Sequence, residues 1–167
     1  MIDELNMNWA WLCLSMGIGA TLTIDLWAQL LKRTNRIMPT NWGMVGRWFA
    51  GLPQGRLRLS AEASASPLRY ELALGWLAHY AIGVCYAFIY MAILQAAYAP
   101  VSLLSAAIFG LVTVLAPWLI LHPGLGNGWF ASATPKPNLI RILNIGAHLV
   151  FGVGLYLAWR VSTVMNL

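Results

Sequence analysis

From Glu71 to Gln95 the chain reads ELALGWLAHYAIGVCYAFIYMAILQ, with no formal charge after its first residue. At about 1.5 Å of rise per residue, one helix over this stretch crosses a hydrocarbon layer of about 30 Å. It nevertheless carries Glu71, Gly75, His79, Gly83 and Tyr86 at helical spacing, so one stripe is small or polar. A helix facing only lipid has no use for such a stripe. Small residues admit another backbone, and an imidazole in apolar surroundings needs a partner. The stretch therefore predicts a membrane span packed along one side against its own protein.

Composition extends this to the whole chain. Of 167 residues, 60% are hydrophobic and 9% charged, against about 25% charged in soluble domains. Mean hydropathy is +0.69. A soluble core cannot absorb that much apolar surface, so lipid must cover it. We expect an all-α, four-span transmembrane helical bundle forming a single integral membrane domain. The predicted spans cover about 8–31, 71–97, 101–121 and 138–160. The start, MIDELNMN, is acidic and does not fit the basic region of a secretory signal.

The net charge of +5 does not imply nucleic acid. Seven of the ten basic residues (Lys32, Arg33, Arg36, Arg47, Arg56, Arg58 and Arg69) fall in the long polar loop 32–70. With Lys136 and Arg141, nine stand on one side of the spans and Arg160 alone on the other. The positive-inside rule then puts the long loop in the cytoplasm and both termini outside. Pro39, Gly43, Gly46, Gly51, Pro53 and Gly55 argue against one continuous helix in that loop. A short amphipathic turn at the headgroups is expected around Trp42, Val45, Trp48 and Phe49, and a mobile loop from Ser60 to Pro67. Pro117 is expected to kink the third span. Cys13 and Cys85 form no metal or redox motif and read as small buried hydrophobes.

An internal repeat is visible. Ala78-His-Tyr-Ala-Ile-Gly-Val84 in span two matches Ala147-His-Leu-Val-Phe-Gly-Val153 in span four, and Gly19 and Trp27 are spaced as Gly110 and Trp118. Two tandem helical hairpins with pseudo-two-fold symmetry about the membrane normal account for this most simply.

The same topology brings polar residues to similar depth. Asp25 lies about 10 Å inside Lys32 and His79 about 12 Å past Glu71, with His148 about as deep in span four. Glu71, Arg141 and Asn144 sit nearer the surface, so a polar pocket is expected on the cytoplasmic side. Intramembrane ionisable groups of this kind bind small solutes or relay protons. Two histidines and a carboxylate are also ligands for a metal, and facing imidazoles for a haem. Alternatively the groups only satisfy one another, as in a structural accessory subunit. Cofactor and metal stay unknown on these residues. No nucleophile–base pair is evident, and Gly124-x-Gly-x-Gly128 follows no strand, which argues against an enzyme. So short a chain has little interior for a path, which favours a homo-oligomer or a larger membrane complex as its setting.

Several stretches together carry a family resemblance. They are Gly19-Ala-Thr-Leu, Asp25-Leu-Trp27, Val45-Gly-Arg-Trp48, Glu71, Gly75-Trp, His79-Tyr80, His122-Pro-x-Leu-Gly126, Thr134-Pro-x-Pro-Asn138, Arg141 and His148-x-x-Phe-Gly-x-Gly-Leu-Tyr156. This combination resembles the domain-of-unknown-function family DUF2938 over nearly the whole chain. The resemblance implies a four-span protein of the bacterial inner membrane with no established activity. It also implies that Asp25, Arg47, Glu71, His79, Arg141 and His148 are the site candidates. Leu59 and His122 depart from the family pattern, where histidine and glutamine are usual, so His122 is a poor candidate for a shared role.

Overall fold

Many large apolar side chains point outward in this protein, and small residues make the closest helix contacts. Leu26 is 70% exposed, while Ala20, Ala87 and Ala106 are fully buried. Lipid, not water, suits such a surface. A computed structural model describes residues 9–35 and 37–165. The acidic residues 1–8, Arg36 and residues 166–167 lie outside the described residues.

Helix α1 spans Trp9–Asn35, α2 Trp42–Gly51, α3 Ala61–Ala65, α4 Glu71–Ala96 and α5 Leu103–Thr113. The chain then stays helical through a π-helical turn at Pro117–Leu121 and the short α6, His122–Gly124, before α7 at Pro137–Val164. There is no strand among the described residues. Four helices are long and apolar enough to cross a membrane: Trp9–Asn35, Glu71–Ala96, Leu103–Gly124 and Pro137–Val164. Each runs within a few residues of its predicted span. Pro117 has no N–H to give Thr113, and the ladder widens there into the π turn rather than breaking.

The spans alternate in direction. Trp9 meets Phe88, Thr21 meets Gly83, and Asp25 meets Tyr80, so α1 and α4 are antiparallel. Ser15 bonds Ser162 at 2.9 Å and Gly154 meets Ala20, which sets α7 antiparallel to α1. The small face of α1 is thus shared out, with Gly17 and Thr21 toward α4 and Gly19, Ala20 and Thr23 toward α7. In the two matching segments Gly83 receives Thr21 of α1, and Gly152 receives Ala106 of α5. The fourth seam differs. Tyr86 and Tyr90 of α4 meet Phe109 of α5, and these rings keep the two backbones apart. Leu12, Met16, Tyr90, Leu94, Phe151 and Leu155 fill the core toward the Trp9 end. The polar groups lie toward the other end, beneath α2.

Two expectations for the long loop change. The stretch Trp42–Phe49 lies in the ten-residue helix α2, longer than a single turn and docked on α4 with Val45, Arg47 and Trp48 buried against protein. The stretch Ser60–Pro67 contains α3, whose N-terminus is capped by the Ser60 hydroxyl accepting from Ala63 N–H. Cys13 is buried as expected, but Cys85 is exposed on the outer side of α4. Like the large apolar residues around it, a thiol there suits lipid.

Candidate functional site

Asn41 caps α2 by accepting from Met44 N–H at 3.1 Å, which fixes where Trp42 begins. Five residues in, Gly46 meets Gly75 of α4 with almost no space between the backbones. A Cβ at Gly75 would overlap the Trp42 carbonyl, and one at Gly46 the Glu71 carbonyl. That approach lays the Trp42 indole on the His79 ring, with centroids 4.0 Å apart and planes 28° apart.

His79 reaches Asp25 of α1 across the α1–α4 seam, Nε2 to Oδ1 at 3.1 Å. Tyr80 O–H donates to the other carboxylate oxygen at 2.7 Å. Which of His79 and Asp25 donates in their bond follows from the histidine tautomer. Asp25 keeps 20% of its side-chain surface exposed and His79 11%. The exposed part of Asp25 lies in the wall of a cavity of about 470 Å³. Gln29 of α1, Thr40 and Asn41 of the connector, and Trp42 and Trp76 also line it.

Two turns nearer the α4 start, Arg47 grips Glu71 with both arms, Nε to Oε2 at 2.6 Å and Nη2 to Oε1 at 2.8 Å. Arg47 also donates to the carbonyls of Ala63 and Ser64, and Glu71 accepts from Leu68 N–H at 2.8 Å. Hydrogen bonding to Glu71 pushes the Arg47 guanidinium above its ordinary pKa, with burial opposing. The pair joins α2, the α3 segment and the start of α4.

The six candidates therefore divide. Asp25 meets His79, and Arg47 meets Glu71. His148 bonds Thr113 of α5 at 2.8 Å, while the Thr113 hydroxyl donates to Gly110 O at 2.6 Å. Arg141 donates to Phe130 O and Asn138 Oδ1 near the α7 start, away from the cavity. His122 bonds Asn144 at 2.8 Å. Asp25 thus takes His79, and Arg47 is left to Glu71. Among the described residues, no three His, Cys, Asp or Glu side chains gather where a metal ion could sit.

Three participants escaped sequence reasoning. Tyr80 follows His79 directly, and neighbours on a helix point about 100° apart, so a stripe that includes one excludes the other. Only a carboxylate lying between the two directions unites them. Trp42 read as an interfacial tryptophan, and Thr113 carried no signal that singled it out within the third span.

The fold is thus an all-helical bundle whose four apolar helices are long enough to cross a membrane, with a carboxylate, an imidazole and a phenol joined between two of them. The chain belongs to the family described as protein of unknown function DUF2938, whose model matches residues 14–162. No curated protein and no solved structure matches it.

Proposed function

We propose that the protein binds, and carries across the bacterial inner membrane, a small solute or protons at the Asp25–His79–Tyr80 cluster. One observation carries this reading: the most expensive side chain of the spans is left open to a cavity instead of sealed. A carboxylate deep in a span costs about 2.5–3.5 kcal/mol on insertion scales. A purely structural acid would be expected to bury all of that charge against partners. A cavity of this size is also within the range of small-ligand sites.

Asp25→Asn tests it, because an amide keeps hydrogen-bonding capacity for His79 and Tyr80. Purified wild type and variant would be melted against small cations, anions and neutral solutes and across pH steps. A wild-type shift of several degrees that the variant lacks is expected. Identical responses of the two proteins throughout would instead favour the structural role, in which the cluster only fixes helix register.

The basic excess of nine to one supports cytoplasmic placement of the loop side and periplasmic termini. Cysteines introduced at Ser64 and Ser132 should resist an impermeant thiol reagent in intact cells, while one at Asn6 should react. Labelling at Ser64 from outside would reverse the orientation.

A further inference from the structure

Resting on that reading, we propose that the cavity beside Asp25 takes an ammonium group, carried by a small amine or by the amine headgroup of a lipid. Among the described lining residues Asp25 is the one formal charge. Arg47, the buried cation nearest in sequence to this wall, is held by Glu71 and two carbonyls and does not line the cavity. An anion would meet a wall whose one formal charge is negative, so charge selects a cation. Each Asp25 oxygen has one hydrogen-bond partner, His79 on Oδ1 and Tyr80 on Oδ2. A carboxylate has about four acceptor sites, which leaves capacity for further N–H donors.

The rest of the wall selects among cations. Trp42 and Trp76 stand with ring centroids 5.5 Å apart and planes at 40°, forming an aromatic corner on the carboxylate's cavity. Indole faces attract organic cations through the ring quadrupole and fit their attached carbons. Metal ions are held best by several carboxylate, imidazole or thiolate ligands, and among the described residues no three His, Cys, Asp or Glu side chains gather here. Gln29, Thr40 and Asn41 add uncharged polar groups at the connector side. A carboxylate with two tryptophans thus matches an alkylammonium better than an inorganic cation. The cavity is bounded by the α1–α2 connector, where a soluble amine and a headgroup amine could each arrive.

The test uses the full chain in nanodiscs of phosphatidylglycerol, a lipid without an amine. Ethylammonium chloride should raise the melting temperature in a saturable way, and sodium chloride at equal ionic strength should not. Asp25→Asn should weaken ethylammonium binding at least tenfold. Trp76→Leu, which leaves every hydrogen bond to Asp25 in place, should weaken it about threefold or more, the scale of a partly desolvated cation–π contact. Adding phosphatidylethanolamine separates the sources. Competition with ethylammonium marks the headgroup as occupant, and no competition marks a soluble amine. Equal responses to sodium, or an Asp25→Asn variant within twofold of wild type, would overturn the assignment. An anionic or neutral solute whose binding needs Asp25 would overturn the ammonium while keeping a solute site. Silence toward every solute class and pH step would remove both.

Discussion

Gly75→Val is expected to strip α2 from α4 and lower the melting temperature by about 5 °C or more. The substituted Cβ would enter the Trp42 carbonyl, and the facing residue, Gly46, is equally tight against the Glu71 carbonyl. Overpacking a well-packed site costs about 1–3 kcal/mol and occasionally more. Here both obstacles are backbone, which cannot rotate away as a side chain can. For a chain of this size 1 kcal/mol corresponds to about 2–4 °C. Moving α2 also lifts the Trp42 ring from His79, so the loss should come with faster proteolysis between α1 and α4. Ala81→Val, on the exposed side of the same helix, is the matched control and should be nearly silent. A Gly75→Val protein melting within about 2 °C of wild type would mean that α2 is not held by this contact.

The second large effect is at Arg47. Removing the guanidinium leaves Glu71, only 17% exposed, without the partner of its two short bonds. Breaking a buried pair costs about 3–5 kcal/mol, and the residual exposure of Glu71 puts Arg47→Ala near the lower figure. Arg47→Ala with Glu71→Ala should be more stable than the sum of the single losses, because no charge is then stranded. Unfolding in mixed detergent micelles measures all three. Strict additivity would show that the two side chains act independently despite their geometry.

These two sites also show what was legible beforehand. Spans came through because their boundaries depend on local composition: charge at the ends, apolar residues between, and little else. The stripe through Glu71, Gly75, His79 and Gly83 was visible as a pattern, and each member now has a neighbour. Which neighbour was not visible. Arg47 and Asp25 were both plausible partners for polar groups of α4, and the choice depended on one close backbone approach at Gly46. Glycines in the long loop looked like breaks in helical structure, whereas Gly46 is a docking surface inside a helix. His148 looked equivalent to His79 by repeat, yet its counterpart of Tyr80 is Leu149 and its partner is a threonine.

The sequence separation inside the Asp25 cluster bears on how the chain is made. His79 and Tyr80 lie 54 and 55 residues downstream of the acid they hold. At synthesis rates of about 5–20 residues per second, Asp25 waits roughly 3–11 s before its partners have been polymerised. Throughout that interval the first hydrophobic segment must either lodge with a bare acid or remain at the insertion machinery. Lys32 and Arg33, four or five residues beyond the end of the Asp25 turn, leave the ribosome early enough to stop its passage. Biogenesis of this protein is therefore a matter of timing as well as hydrophobicity, and slowing translation between Arg36 and Glu71 should lengthen the exposure of its least membrane-compatible side chain.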